Sequence, residues 1–368
     1  MILTHLELAN VRNYSTLDFA PAPGLNVFVG PNAQGKSNLL EAIALLGTGK
    51  SFRTSRESEI VRRGLPLATL AGEATVAAGS IRLACTLSVG SGGLRKVYAV
   101  NGRSVRYASY LGRIRVVTFV PAQLALVTGA PSARRSLLNA ALAQESPAYY
   151  GALAAYQKFL LQKNALLRGG VAPDEGLLAT YDEQLILTGT RLILARRAFV
   201  AALAERAKAV HRTWVGDRDG ELDLRYVSDV PCDVPTEDGV AAAFLARLQS
   251  RRALEVARGT SLVGPHRDDL AFALDGAALA VYGSQGQQRT AVLALKVAEY
   301  AVSEARAGEA PLLLLDDVLS ELDPQRQDAF LQGVGSFGQA FVTTTHAVDV
   351  PVAAAFRIRA ATLERLAS

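Results

Sequence analysis

Apolar and polar residues alternate along the first thirty residues of the chain, the pattern of strands with one buried face. The alternation returns over residues 67–107, where Asn101-Gly102 stands between two apolar runs and predicts a two-residue hairpin turn. A further β-rich run covers residues 116–120. The first third of the chain is therefore predicted to be mostly β, with one helix over residues 37–46.

After residue 121 the apolar residues recur every three or four positions, as on one face of a helix. This spacing predicts helical stretches over 132–167, 177–214 and 239–258. The predicted elements of the remaining chain are strands at 270–274 and 279–282, a helix over 286–306, and buried strands at 312–315 and 340–343. A helical segment thus interrupts two parts with strand character.

Composition narrows the class of protein. Half of the residues are apolar, which excludes a disordered chain. Two cysteines, Cys85 and Cys232, form neither a disulfide framework nor a CxxC metal motif. The N-terminus lacks the pattern of a secretory signal, and the longest apolar-leaning stretch, 116–133, contains two prolines and a glycine. We expect a cytoplasmic protein that does not enter a membrane.

The net charge of +5 is unevenly distributed. Residues 74–144 contain no Asp or Glu and nine basic residues, which leaves 30 basic and 34 acidic residues elsewhere. Such a block indicates either a polyanionic partner or an arginine-rich solvated surface.

A phosphate-binding loop is predicted after the strand that ends near Val29. The loop matches the pattern GxxxxGK[ST] and precedes a predicted helix, as that motif requires. Its residues are Gly30, Pro31, Asn32, Ala33, Gln34, Gly35, Lys36 and Ser37. In this motif backbone amides face the phosphates, the lysine bridges the β- and γ-phosphates, and the serine binds Mg²⁺. The alternative is a chance glycine turn before a helix.

A pair of carboxylates follows the four leucines at 312–315. Two carboxylates at the end of a buried strand lose hydration, which costs folding free energy. The presence of Asp316 and Asp317 at this position therefore indicates a functional role. We expect Asp316 to hold Mg²⁺ and Asp317 to orient or deprotonate the attacking water. The alternative role is a helix cap.

The distance between these two motifs indicates the ATPase class. Lys36 and Asp316 lie 280 residues apart, whereas small GTPases and kinases place the motifs much closer. A large insertion with the second motif near the C-terminus resembles the head of an ABC-type ATPase. Four further segments are similar to motifs of that head: the glutamine-loop residue Gln123, the signature segment Ser284, Gln285, Gly286 and Gln287, the D-loop at 320–323, and the switch histidine His346.

Along nearly its whole length the chain resembles the RecF family of bacterial recombination-repair ATPases. The resemblance rests on the phosphate-binding loop together with several other segments. These are NVRNY at 10–14, KSFRT at 50–54, GAP at 129–131, the arginine pair Arg134-Arg135, TSLVGPHRDD at 260–269, YGSQGQQR at 282–289 and LLLLDDVLSELD at 312–323.

The resemblance implies an α/β fold: an ABC/SMC-type P-loop ATPase head with a mixed sheet, an inserted helical lobe and no long coiled coil. We place the head at residues 1–120 and 259–368 and the lobe at 121–258. It also adds Arg12, Asn13 and Asn38 to the residues expected to contact nucleotide. Asp317 stands where most ABC ATPases have Glu, and this shorter side chain is consistent with slow turnover.

Family resemblance further implies a slow, DNA-stimulated ATPase that uses ATP and Mg²⁺. Such a protein forms an ATP-dependent homodimer on duplex or gapped DNA, and it helps RecO and RecR to load RecA at single-strand gaps and stalled forks. In the shared site, one subunit supplies Lys36, Asp316, Asp317 and His346, and the other supplies Ser284–Gln287. Gln123 is a further candidate Mg²⁺ ligand.

The basic block is expected to bind DNA phosphates without sequence preference. The candidate contacts are Arg82, Arg95, Lys96, Arg103 and Arg106, with Arg53 linking DNA to the ATP site. A helix-end role is the alternative for Arg53.

Two other classes share the nucleotide motifs. One is the nucleotide-binding subunit of a membrane ABC transporter, against which stand the variant signature SQGQ and the helical insertion. The other is a small-metabolite kinase, which needs neither a signature segment nor a dimer.

Overall fold

The computed structural model describes residues 1–169, 173–215, 220–318, 337–345 and 352–366. The chain forms two compact units, one of Met1–Ala125 with Lys296–Ser368 and the other of Leu126–Leu295. We call them the head unit and the inserted unit. The segment 259–295 packs with the inserted unit. The assignment of that segment to the head domain therefore stays a prediction.

Fifteen strands and eight α-helices lie in the described part of the chain. The strands are β1 (Ile2–Val11), β2 (Tyr14–Phe19), β3 (Gly24–Val29), β4 (Leu67–Val76), β5 (Gly79–Gly90), β6 (Gly93–Val100), β7 (Arg103–Val105), β8 (Val116–Phe119), β9 (Leu222–Val227), β10 (Asp269–Leu274), β11 (Ala277–Ala278), β12 (Leu312–Asp316), β13 (Gln339–Thr344), β14 (Ala354–Arg359) and β15 (Thr362–Arg365). The helices are α1 (Lys36–Thr48), α2 (Tyr107–Tyr110), α3 (Pro131–Glu145), α4 (Pro147–Leu167), α5 (Glu175–Val215), α6 (Glu237–Arg258), α7 (Leu279–Tyr282) and α8 (Gln285–Ala307). Short 3₁₀ helices cover Glu57–Ile60 and Pro121–Leu126.

One sheet of the head unit is antiparallel, in the order β2-β1-β4-β5-β6-β7. Its strands alternate buried and exposed residues, so one face packs on the core. The Asn101-Gly102 turn joins β6 and β7, with both residues at positive φ, and this confirms the predicted hairpin.

The second sheet has the order β15-β14-β3-β13-β12-β8, and β14, β3, β13, β12 and β8 run parallel. Strands β12 and β13 are buried along their whole length, as expected for a parallel sheet covered on both faces. Helix α1 contacts strands of both sheets, so the two sheets share one core. Leu39, Leu40 and Ile43 of α1 lie in that core and are at most 1% exposed. Each contributes about 1.5–3 kcal/mol by burial.

The inserted unit consists mainly of α3–α6 and a small sheet in the order β11-β10-β9. The single helical stretch predicted over 132–167 is wrong, because the chain breaks between α3 and α4. Ser146 caps α4 by accepting a hydrogen bond from Tyr149 N, and Pro147 takes the first turn, where its missing N–H costs nothing. Helix α5 is continuous over 41 residues, which corresponds to about 62 Å.

Buried charges hold the inserted unit together around the segment 260–269. Arg196 of α5 is 2% exposed and donates to Asp268 Oδ2 at 3.2 Å and to Pro265 O at 2.7 Å. His266 pairs with the buried Tyr156 hydroxyl at 2.6 Å, and burial lowers the pKa of His266 to about 4. The polar residues of this segment therefore connect it to helices α4 and α5 of the same unit through buried hydrogen bonds.

Two local predictions differ from the structure. The strand predicted at 279–282 is a single helical turn, α7, closed by a hydrogen bond from Gly283 N to Leu279 O at 3.0 Å. A four-residue apolar run does not distinguish a strand from one turn of helix. The sequence pattern also missed β9 and the C-terminal hairpin β14–β15. None of the helices in the described ranges is both long enough and apolar enough to span a bilayer.

The β14–β15 turn carries backbone strain. Its two central residues, Ala360 and Ala361, have φ of 47° and 61°, the left-handed region that L-residues disfavour by about 1–2 kcal/mol. Replacing them with Asn and Gly (Ala360→Asn with Ala361→Gly) is expected to raise the free energy of unfolding by about 1 kcal/mol, as measured by urea denaturation. Gly102→Ala in the β6–β7 turn is the matched control, and it is expected to lower the free energy of unfolding because Gly102 also has a positive φ. A lower free energy of unfolding in the Asn-Gly variant than in the wild type would contradict the interpretation that the two alanines are strained.

Candidate functional site

The carboxyl ends of four parallel strands meet at one edge of the second sheet of the head unit. The phosphate-binding loop follows β3, Asp317 follows β12, Thr344 ends β13, and Gln123 follows β8. Ligands of open α/β sheets bind at such an edge. Sequence segments nearly 300 residues apart are thus brought together by strand pairing.

The loop Gly30–Gly35 has a conformation that its two glycines make possible. A Cβ at Gly30 would lie 2.5 Å from the Ile358 carbonyl oxygen. Gly35 has φ of 113°, and a Cβ there would lie 2.7 Å from Asn13 Nδ2. Helix α1 begins at Lys36, so the loop leads into a helix N-terminus whose amides and dipole favour an anion. Pro31, Asn32 and Ala33 are exposed along the loop.

Lys36 is buried beneath the loop, with a relative exposure of 6%. Its ammonium donates to Pro31 O at 2.9 Å and to Gly30 O. Burial lowers the pKa of Lys36, and the nearby charges of Asp317 and Asp316 oppose that shift. The lysine and the two aspartates predicted from the sequence therefore lie within electrostatic reach of each other.

Asp316 and Asp317 meet the hydroxyl of Thr343 on the neighbouring strand. Thr343 Oγ1 lies 2.9 Å from Asp316 Oδ1, and Asp317 N donates to the same oxygen at 2.9 Å. Asp316 is buried and Asp317 is half-buried. Asp317 has φ of 52°, a conformation that Asp tolerates better than most residues. The strand β12 thus ends at Asp316, and the backbone leaves the extended conformation at Asp317.

The segment before β2 frames the loop from the other side. Tyr14 is fully buried and donates its hydroxyl to Gly35 O at 3.1 Å, and burial raises the pKa of that hydroxyl. Asn13 Nδ2 donates to Gln34 O at 3.3 Å, and Asn38 Nδ2 donates to Asn13 Oδ1 at 2.7 Å. Two residues expected to contact nucleotide, Asn13 and Asn38, are therefore bonded to each other beside Ser37.

Glu41 of α1 is a buried carboxylate, 1% exposed, that pairs with two arginines. Arg12 donates to it in a bidentate pair at 2.8 and 2.7 Å. Arg53 lies 3.7 Å from Glu41 and also donates to Asn38 Oδ1. Both arginines singled out in the sequence are therefore held at the rim of the loop, and Glu41 holds them.

The β14–β15 hairpin braces the loop. Ala360 N donates to Gln34 Oε1 at 2.9 Å, and Ala361 N donates to Gln34 O at 3.0 Å. A cleft of about 760 Å³ opens between this turn and β1, β2 and β4, with Asn13 at its wall. Its lining includes none of the residues Gly30–Ser37 and neither Asp316 nor Asp317, so this cleft is separate from the phosphate-binding loop.

Three further predicted parts of the site are Gln123, His346 and the D-loop at 320–323. Gln123 lies on the 3₁₀ helix after β8, and its Oε1 accepts from Val120 N at 3.2 Å. His346 and the predicted D-loop at 320–323 lie outside the described residues.

The signature-like segment begins α8 and belongs to the inserted unit. Ser284 and Gln287 form a reciprocal capping pair, in which Ser284 N donates to Gln287 Oε1 at 2.8 Å and Gln287 N to Ser284 Oγ at 3.2 Å. Ser284 and Gln285 are exposed, and Gly286 is half-buried. An accessible helix N-terminus is thus presented at the surface.

The basic block identified in the sequence does not form one face. Arg134 and Arg135 lie in the inserted unit, where Arg134 binds Asp269 through two hydrogen bonds of 2.6 and 2.8 Å. Arg135 donates to the carbonyl oxygen of Asp268 at 2.8 Å. Both guanidinium groups therefore have structural partners within that unit.

Two of the candidate DNA contacts are compensated by acids. Arg82 pairs with Glu73 at 2.7 Å and with Glu7 at 3.0 Å, and these hydrogen bonds raise the pKa of Arg82. The Lys96 ammonium lies 2.6 Å from a Glu57 carboxylate oxygen. Because Arg95 and Lys96 are successive residues of β6, their side chains point to opposite faces of the strand.

The exposed candidates lie toward the edge of the antiparallel sheet. Arg95 lies near the start of β6, Arg103 begins β7 and Arg106 precedes α2, and all three are exposed. Arg53 is also exposed, at the rim of the loop.

Comparison with known proteins places this fold and site in a class. The family model described as the RecF/RecN/SMC N-terminal domain matches residues 2–360. Solved Smc head domains, one from Pyrococcus furiosus, share the fold with a TM-score of 0.56 at 16% identity. The chain has the ATPase-head fold of SMC-like proteins, α/β with a mixed sheet and an inserted helical lobe. Among its described elements, the longest helix has 41 residues and none forms a long coiled coil.

Closer relatives define the family. The chain is 43% identical to the DNA replication and repair protein RecF of Thermosynechococcus vestitus, over 99% of this chain and 95% of that protein. It is also 43% identical to the same protein of Symbiobacterium thermophilum, over 99% and 98%. A solved structure of the recombination mediator protein RecF with ATP has a TM-score of 0.92 and 33% identity, covering 100% of this chain and 98% of that one. The chain belongs to the RecF family.

Three residues of the site were missed in the sequence. Glu41 is the one polar residue within 39–47 of α1, and its isolation in that apolar run was the available signal. Tyr14 and Thr343 have residue types that are common in strands. Their roles arise from tertiary contacts, and nothing local marks them.

The buried pair of Glu41 and Arg12 is expected to stabilise the head unit. Glu41→Gln leaves the guanidinium of Arg12 without its counter-charge and should lower the free energy of unfolding by about 3 kcal/mol. Glu59→Gln is the control, because Glu59 is half-exposed and lies 3.8 Å from Arg12, so its loss should cost at most about 0.5 kcal/mol. Guanidinium titrations followed by circular dichroism measure both. Equal effects of the two substitutions would contradict the account.

Proposed function

We propose that this protein is an ATPase of recombinational DNA repair that closes as a homodimer around ATP on DNA. The proposal rests on one observation above all: the parallel pairing of β3, β13 and β12 brings the loop that contains Lys36 and the two aspartates to the same edge of one sheet. Relatives named for DNA replication and repair, and a solved RecF with ATP, support it.

The residues around the phosphate-binding loop fit a nucleoside triphosphate. The glycine backbone and the N-terminus of α1 face the position of the phosphates, and the Lys36 ammonium is held a short distance below by two loop carbonyls. When phosphate enters, Lys36 exchanges those carbonyls for phosphate oxygens. Asn13 and Asn38, hydrogen-bonded to each other at 2.7 Å, and Arg12 are proposed to contact the nucleotide beside the loop.

Mg²⁺ fits the same edge. Among the described residues, no group of three or more His, Cys, Asp or Glu side chains forms a ready metal site. Proteins usually hold Mg²⁺ by one or two carboxylates, with water and phosphate completing the shell. Asp316 and the Ser37 hydroxyl are the proposed ligands, with Gln123 beside them. The bound cation would neutralise charge that develops on the phosphate.

Asp317 is the proposed group that orients and accepts a proton from the attacking water. Asp317 is half-buried and therefore more accessible than the buried Asp316, which supports separate roles for the two carboxylates. The side chain is one methylene shorter than Glu, which supports slow hydrolysis. His346 is proposed to lie near the γ-phosphate.

The exposed start of α8 is proposed to complete the site of a second subunit. Ser284 to Gln287 would meet the γ-phosphate held by the partner copy, with the capping pair keeping the helix end ordered. ATP would then favour the closed dimer because it contacts both copies. Hydrolysis would release it.

DNA and the recombination partners complete the proposal. Exposed Arg95, Arg103 and Arg106 are favoured as phosphate contacts over Arg82 and Lys96, whose charges are compensated. Arg53 is proposed to link that surface to the ATP site. A solved relative is placed in the RecFOR pathway, which supports RecO and RecR as partners in loading RecA at gaps. The protein is proposed to act in the cytoplasm, on duplex and gapped DNA.

Removing single site residues should separate binding from hydrolysis. Lys36→Ala is expected to weaken ATP binding at least tenfold, because the loop loses its buried cation. Asp317→Asn should keep ATP affinity within about twofold and lower kcat by about 100-fold or more. Titration with a fluorescent ATP analogue and a phosphate-release assay measure the two effects. Unchanged turnover in Asp317→Asn would remove Asp317 from the chemistry.

The exposed arginines should carry the DNA affinity. Replacing Arg95, Arg103 and Arg106 together with Gln is expected to weaken binding to gapped duplex DNA and to reduce the salt slope by about one per lost phosphate contact. Arg82→Gln is the control and should leave the affinity within about twofold. Fluorescence anisotropy at several salt concentrations distinguishes them. An unaltered triple variant would place the DNA surface elsewhere, and ATP turnover unaffected by gapped DNA would count against the repair function.

A further inference from the structure

Thr343 connects the two aspartates of the candidate site. This side chain is fully buried on β13, where its residue pairs in register with Asp316 on β12 and with Phe28 on β3. Its hydroxyl donates to Asp316 Oδ1 at 2.9 Å and accepts from the backbone N–H of Asp317 at 2.9 Å. The same hydroxyl lies 3.5 Å from Leu315 O, a longer and weaker alternative acceptor for its proton than the Asp316 carboxylate. One oxygen atom thus contacts three successive residues of the neighbouring strand end.

Each contact restrains a different degree of freedom. Donation to Asp316 Oδ1 fixes the rotation of that carboxylate, so its second oxygen has one direction. Acceptance from Asp317 N helps to hold Asp317 at φ of 52°, a conformation that costs free energy in isolation. Since a hydroxyl has one proton, donation to the carboxylate leaves its lone pairs for the N–H. The two bonds therefore do not compete.

We propose that Thr343 is a positioning residue that sets Asp316 for Mg²⁺ and Asp317 for the attacking water. The inference rests on the proposed ATPase function. Thr343 touches neither nucleotide nor cation in this proposal and acts through the two carboxylates. Second-shell groups of this kind commonly change metal affinity or activity by about 10- to 100-fold when they are removed.

Thr343→Val keeps the shape of the side chain and removes the hydroxyl. It is expected to lower kcat for ATP at least tenfold and to weaken Mn²⁺ binding, measured by electron paramagnetic resonance with the ATP-loaded protein, by about tenfold. ATP affinity in the absence of divalent cation should stay within about twofold of wild type, because the loop and Lys36 are untouched. Thr343→Ser retains the hydroxyl and should restore kcat and Mn²⁺ affinity to within about threefold.

Thr118→Val is the matched control, a threonine of β8 in the same sheet. It should change neither kcat nor Mn²⁺ affinity. If Thr343→Val does not fold, as judged by circular dichroism, Thr343→Ala and Thr343→Ser make the same comparison, because they differ by one oxygen atom.

The outcomes separate the inference from the function on which it rests. A wild type that neither binds nor hydrolyses ATP overturns the proposed function. An active wild type with unchanged kcat and Mn²⁺ affinity in Thr343→Val overturns the role of Thr343. Equal losses in the Val and Ser variants, or a loss of ATP affinity that is the same with and without divalent cation, also overturn it, because they indicate a general packing defect.

Discussion

Parallel pairing of β3, β13 and β12 is the constraint on which the candidate site depends. These strands lie at the start and near the end of the chain, and their register sets Thr343 between Phe28 and Asp316. Since parallel strands end on the same side, the loop after β3 and the aspartates at the end of β12 face one region. A shift of one residue in either pairing would turn alternate side chains to the opposite face of the sheet.

The site concentrates charge in a buried environment, and each charge has a partner. Lys36 has loop carbonyls and two aspartates nearby, and Glu41 has Arg12. Because a buried unpaired ion is costly, the removal of one partner affects the rest. In the proposed function, a bound phosphate would replace the carbonyls around Lys36 with a stronger counter-charge.

The nucleotide motifs were predictable because phosphate chemistry restricts the residues at fixed spacing. Gly30, Gly35, Lys36 and Asp316 were predicted from the sequence to form one site, and the structure brings them to one edge of the sheet, while their roles stay a prediction. The DNA-facing strip was less predictable, because composition gives a count of charges and not their partners: Arg82 pairs with two glutamates and Arg134 with Asp269. Thr343 contacts the neighbouring strand and Tyr14 donates a hydrogen bond to the loop, and a local sequence pattern does not record either contact. Ser146-Pro147 was a local signal for the break between α3 and α4, because proline is favoured in the first turn of a helix and disfavoured in its interior.

The central claim is that one chain holds half of an ATP site. Sedimentation velocity of the Asp317→Asn protein with Mg-ATP, compared with Mg-ADP and with no nucleotide, tests it directly, because slow hydrolysis lets the closed state accumulate. The account predicts a dimer with ATP and a monomer in the other two conditions, and it predicts that Ser284→Arg abolishes the dimer while each chain still binds ATP. A monomer that sediments with bound ATP at high protein concentration would contradict it.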